Sequence, residues 1–114
     1  MININDIEVG DVILADFPYE NMADQVKLRP AVVIAESGNV YTVIALKITS
    51  SPPRDVFDYE LVDWALEGLN KPSIVRTSKE AIIPIHAIFK KIGTLTPNDF
   101  KAVKELYVSL TSAK

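Results

Sequence analysis

Apolar residues along the chain fall in short runs separated by polar turns. Residues 11–17 (DVILADF) are rich in branched and aromatic side chains and predict a strand that Pro18 ends. Residues 30–36 (PAVVIAE) are almost continuously apolar, as a buried strand is. Ser37-Gly38-Asn39 marks a turn, and residues 40–47 (VYTVIALK) predict a third strand that completes a hairpin. Residues 57–61 (FDYEL) alternate apolar and acidic positions, the pattern of a half-buried strand. Residues 63–69 (DWALEGL) predict one helical turn closed near Gly68, and 72–76 and 88–95 predict two more short strands. Residues 18–29 and 48–55 read as loops, since Pro52-Pro53 forbids regular structure in the second.

The period changes after residue 95. Thr96 is placed as an N-cap, Pro97 at the first helical position and Asp99 three residues after the cap. Phe100, Val103, Leu106, Tyr107 and Leu110 then share one stripe at helical spacing. Burying each would contribute roughly 1.5–3 kcal/mol, so the stripe is expected to fasten this helix to a sheet. Several short strands with one terminal helix predict a mainly β fold, a small curved antiparallel sheet or barrel. No βαβ alternation appears, which argues against a parallel sheet.

Composition narrows the function. With 114 residues the chain is expected to form a single domain over 1–114. It has no cysteine, which excludes disulfides, thiolate metal sites and cysteine nucleophiles. It has one histidine, His86, which excludes a two-histidine acid–base pair; its apolar setting reads as structural. No apolar run approaches a membrane span of about 18 residues. The polar, acidic N-terminus has the wrong charge for a signal peptide, so the expected location is cytoplasmic.

The net charge is −3, and its distribution is uneven. Residues 1–26 carry −6, residues 27–79 carry +1 and residues 80–114 carry +2. An acidic N-terminal segment therefore leaves room for a locally basic groove, with Lys27, Arg29, Lys47, Arg54 and Arg76 as its candidates.

Most chemistries find no residues here. There is no glycine-rich phosphate loop and no metal-ligand motif, so neither a cofactor nor a metal is expected. Asp55, Asp58, Glu60 and Asp63 have the spacing of a strand's solvent face. Two loops remain. Pro30 biases Arg29 toward an extended conformation at the mouth of a strand, a placement that suits phosphate recognition. Thr49, Ser50 and Ser51 put three hydroxyls in a row at the end of another strand. These hydroxyls would either donate to phosphate oxygens or bond their own backbone.

Gly10–Phe17 (GDVILADF), Arg29–Ile34 (RPAVVI) and Ile48–Ser50 (ITS) follow one another in the order and rough spacing of the PemK/MazF family, which the chain resembles. Gly68-Leu69, Pro72-Ser73 and Ile92–Leu95 fit a recurring pattern of the same family. The resemblance implies an SH3-like small barrel with a terminal helix and a homodimer. It also implies the toxin of a toxin–antitoxin pair, a ribonuclease that cuts single-stranded RNA without metal. It assigns catalysis to Arg29, in the R-P motif, and Thr49, in the I-T motif. An antitoxin with an acidic segment would be the partner. Lys27, Ser50, Phe17 and Arg54 are the expected substrate contacts, with Phe17, Tyr19 and Phe57 available to stack unpaired bases. Some relatives carry a glutamine where this chain has Arg76-Thr77-Ser78-Lys79.

RNA supplies its own nucleophile, the 2′-hydroxyl, so cleavage needs alignment and charge stabilisation rather than a metal or a histidine pair. Two other readings remain at this level. A CcdB-type toxin of the same fold would act on DNA gyrase by protein contact, but the C-terminal Thr111–Lys114 lacks the tryptophan of that family. A non-catalytic binding barrel is the other. Trp64 reads as a core or interface anchor.

Overall fold

The structure, a computed structural model, describes residues 6–16, 28–38 and 41–112. Six strands form one antiparallel sheet: β1 (Asp11–Asp16), β2 (Leu28–Glu36), β3 (Thr42–Thr49), β4 (Asp58–Glu60), β5 (Ile74–Pro84) and β6 (Ile88–Thr94). A 3₁₀ turn, Ile85–Ala87, links β5 to β6, and helix α1 (Pro97–Ser112) follows. The sheet order is β4-β5-β3-β2-β1-β6. The mainly β fold with a C-terminal helix is as expected, but the sheet is open: among the described residues β4 and β6 are its unpaired ends.

Alternation along the strands builds two cores, one on each face. Val12, Val32, Ile34, Leu46, Ile48 and Val75 point one way and pack with Val103 of α1. Phe100 and Tyr107 of the helical stripe join them, as does Trp64, which is thus a core residue. Ile13, Ala15, Ala31, Val33, Ala45 and Ile83 point the other way. Ile88 of β6 shares this second core with Ile83 of β5, although three strands lie between β5 and β6 in the sheet. The sheet therefore rolls around this second core, and α1 covers the opposite face.

β2 and β3 take in Leu28-Arg29 and Ile48-Thr49, which the sequence places in the flanking loops, because the ladder extends past the apolar runs. Two further strands differ more. β4 keeps only the middle of the predicted 57–61 strand. β5 runs for 11 residues, where the sequence predicts a strand only to Arg76. Its polar middle hides a bend: pairing with β3 jumps from Leu46–Glu80 to Lys47–Arg76, so Thr77, Ser78 and Lys79 bulge out of the ladder. A period-two pattern cannot survive such a bulge, and so it is not seen in the sequence.

Candidate active site

The ladder places Arg29 beside Thr49. Ala31 pairs with Lys47 across β2 and β3, so the register carries Arg29 to the level of Thr49. On its other side Thr49 pairs with Ile74 of β5. The ends of these strands enclose a cleft of about 490 Å³ lined by Arg29, Lys47, Thr49, Ser50, Ser51, Asn70, Lys71 and Ser73, with Pro30, Ile48 and Leu69 as its apolar walls. Three cations face this cleft, and the described lining residues include no carboxylate and no histidine. An acidic protein thus holds a locally basic site. The Thr49 hydroxyl accepts the N–H of Ser51 at 3.2 Å and donates to Ser51 Oγ at 3.3 Å. The loop hydroxyls therefore do bond locally, which fixes Thr49 Oγ1 in place while its proton can be redirected to an incoming acceptor.

Of the other expected contacts, Ser50 lines the cleft. Phe17, Tyr19 and Lys27 lie outside the described residues. Arg54 is not among the lining residues; its guanidinium and its backbone N–H both engage Asp58, at 3.5 and 2.8 Å. Arg76 is not a groove cation. It is 7% exposed and holds Asp58 at 2.8 Å. Asp58 is in turn not on a solvated face: its side chain is fully buried between the two arginines. Phe57 is half-buried and anchors the bulge, its carbonyl accepting the N–H and hydroxyl of Thr77. His86 is exposed on the 3₁₀ turn rather than packed.

Sequence reasoning misses two features. Asn70 and Lys71 reach the cleft from the segment before β5; the signals were the flanking Gly68-Leu69 and Pro72-Ser73 and the Lys71-Pro72 pair, which repeats the cation–proline pair of Arg29-Pro30. The second is a buried acid network behind that segment. Asp99, expected only near a cap, accepts the Tyr59 hydroxyl at 2.7 Å and the N–H groups of Val62 and Asp63 at 3.2 and 2.9 Å. Thr96 donates its hydroxyl to Asp63 at 2.7 Å and its N–H to Glu67 at 2.9 Å. Asp63, Glu67 and Asp99 offer ligand atoms within 4.8 Å of one another, but the two oxygens of Asp99 are already engaged by three donors. The network ties the start of α1 to residues 61–67, and Leu61 N–H reaches Ser73 at 3.0 Å, so it sets the third wall of the cleft.

Charge is divided unequally in this network. Burial pushes the Glu67 carboxyl up to about 7, against the N–H of Thr96 and with the help of Asp99. Burial would raise Asp99 too, but the N–H of Asp63 and the hydroxyl of Tyr59 outweigh it and hold Asp99 below its ordinary value. Burial and Asp99 together raise Tyr59. A carboxyl raised in the folded state keeps a proton that the unfolded chain releases from about 4.5 upward. Its contribution to stability is complete below that value and is lost as pH rises toward 7. Glu67→Gln keeps an acceptor for Thr96 and carries no charge. Urea midpoints should fall between pH 5 and pH 8 in the parent, and by less in Glu67→Gln; an equal fall in both would refute this assignment.

The fold has counterparts in solved structures. The Mycobacterium tuberculosis toxin MazF-mt6 superposes with a TM-score of 0.72 at 20% identity, over 90% of this chain and 96% of that one. MazF from Deinococcus radiodurans gives 0.72 at 16% identity, over 93% and 96%. A mycobacterial endoribonuclease in complex with its cognate antitoxin gives 0.72 at 10% identity, over 92% and 94%. At these identities the likeness establishes the fold. No curated protein matches the chain in sequence. Among the described residues no helix is long and apolar enough to cross a membrane. The sequence model of the PemK-like, MazF-like toxins matches residues 8–107, which takes in β1, the Arg29 and Thr49 motifs, the acid network and most of α1: the chain belongs to this family of type II toxin–antitoxin toxins.

Proposed function

We propose that the protein is a toxin that cleaves single-stranded RNA at the Arg29–Thr49 cleft by attack of the 2′-hydroxyl. The observation that carries this reading is the convergence of Arg29, Lys47 and Lys71 with the Thr49 hydroxyl in one cleft of an otherwise acidic molecule. Phosphate recognition needs fixed cations and donors, and these residues supply both. In the reaction the 2′-oxygen bonds to phosphorus and the bond to the 5′-oxygen breaks. The 2′-hydroxyl gives its proton to water, and the leaving 5′-oxygen takes one from water. The products are a 2′,3′-cyclic phosphate and a 5′-hydroxyl. Arg29 neutralises the charge that builds on the phosphorane, and Thr49 donates to a phosphate oxygen. An arginine is a poor proton donor, so its role is electrostatic.

Cleavage of a single-stranded RNA by the purified protein should persist in EDTA and leave a cyclic phosphate. A 2′-deoxy sugar at the scissile position should bind and resist cutting, because the nucleophile is gone. Cutting of that substrate, or inhibition by EDTA, would defeat the mechanism.

We also propose one domain that pairs as a homodimer and is silenced by an antitoxin, in line with the antitoxin complexes of similar folds. An acidic segment of the antitoxin that folds on binding would cover the cationic cleft. Light scattering should give twice the chain mass at micromolar concentration, and a monomer would contradict the dimer.

A further inference from the structure

We infer that Asn70 and Lys71 form a subsite for the nucleotide next to the scissile phosphate, with Lys71 on its phosphate and Asn70 on its base edge. The inference rests on the ribonuclease reading of the cleft; it adds Asn70 and assigns Lys71, one of the three cations of that reading, to a second phosphate.

The placement follows from the sheet. β3 lies between β2 and β5, so Thr49 stands between Arg29 on one side and the segment entering β5 on the other. Lys71 lies three residues before the Ile74 that pairs with Thr49. Strands are about 4.8 Å apart, which sets β2 and β5 about 10 Å apart on either side of Thr49. That is too wide for one phosphate to fill, and the 490 Å³ cleft between them has room for more than one. Arg29 and Thr49 take the reacting group, and Lys71 faces its neighbour along the strand of RNA.

The segment is held rigidly enough to select. Leu69 is packed into the core and its N–H reaches the Trp64 carbonyl at 3.1 Å. Ser73 is 8% exposed and its hydroxyl bonds the Lys71 carbonyl at 2.9 Å. Only Asn70, Lys71 and Pro72 stand exposed between these anchors. Pro72 favours an extended Lys71, as Pro30 does for Arg29. The pair of side chains divides the work by chemistry. A lysine ammonium is a point charge that binds phosphate without regard to sequence. A carboxamide offers an acceptor and two donors, which fit a base edge and discriminate among bases.

The test uses the full-length protein and a short single-stranded RNA with one 2′-deoxy sugar, which binds without being cut. Each phosphate contact to a single strand contributes a slope of about 0.7 in log affinity against log salt. Lys71→Ala should lower that slope by about 0.7 and weaken binding about fivefold at 0.1 M salt, with Lys71→Arg restoring the slope. Asn70→Ala, assayed on a randomised RNA pool, should flatten the base preference at one position beside the cut by about fivefold or more. Both residues are exposed, and circular dichroism should show the parent fold in each variant. If the parent cuts RNA while both variants keep its slope and its preference, the subsite is wrong and the proposed function stands. If the parent neither binds nor cuts RNA, both fall.

Discussion

Arg29→Ala is expected to reduce RNA cleavage by about 10²–10³-fold while leaving the fold intact. Arg29 is only half-buried, at the rim of the sheet, so its loss empties no core. It stands level with Thr49 and faces the cleft where the phosphorane would form. Charge that develops on the equatorial oxygens is stabilised best by a partner already in position, because reorienting water around it costs free energy. Lysine is expected to rescue only part of the rate, because a point charge lacks the planar fork that engages two phosphate oxygens. Thr49→Ala should cost less, since the hydroxyl contributes one donor and no charge. Single-turnover kinetics on a defined RNA separate the two. Undiminished cleavage by folded Arg29→Ala would remove the active-site assignment.

Gly68→Ala is expected to be the most destabilising single-methyl change in the described structure. A Cβ at Gly68 would fall on the carbonyl oxygen of Ile92, and one at Gly93 would fall on the carbonyl oxygen of Glu67. Two backbones cross here with no space for a side chain on either. Gly68 also has φ +91°, which costs another residue about 1–2 kcal/mol. Since the overlap is with backbone, it cannot be relieved by turning a rotamer. The sum is about 3 kcal/mol or more, a large part of the 5–15 kcal/mol that holds a typical domain together. The melting temperature should fall by about 10 °C or more. Gly38→Ala separates the two causes. Gly38 also has a positive φ, +82°, but nothing lies within 4 Å of its Cβ position, so only the backbone strain applies. Equal losses at the two positions would show that the crossing contributes nothing.

The same crossing links stability to the cleft. Gly68 leads directly into Leu69, Asn70 and Lys71, and the acid network sits one residue before it. A partly folded Gly68 variant is therefore expected to lose RNA affinity at temperatures where the sheet is still formed, because the third wall of the cleft loosens first.

Local pattern alone determined most of the elements of this protein, though not the bulged second half of β5. The apolar runs of β1, β2 and β3, the turn at Gly38 and the cap and stripe of α1 could all be read from residue order, because each is a short-range preference of the backbone. The motifs at Arg29-Pro30 and Ile48-Thr49 were legible for the same reason: each is a few adjacent residues at a strand end. What separates these from the rest is range. Arg29 and Thr49 become neighbours only through a β-ladder, and Lys71 joins them only through the next strand over. The fate of a charge depends on partners far along the chain, so Arg76 and Asp58 looked like surface groups and are buried with each other. Asp99 looked like a cap residue and is the acceptor that holds residues 59–63, nearly 40 positions earlier. Burial and long-range pairing are properties of the folded sheet, and they decided which cations face the cleft and which acids lie beneath it.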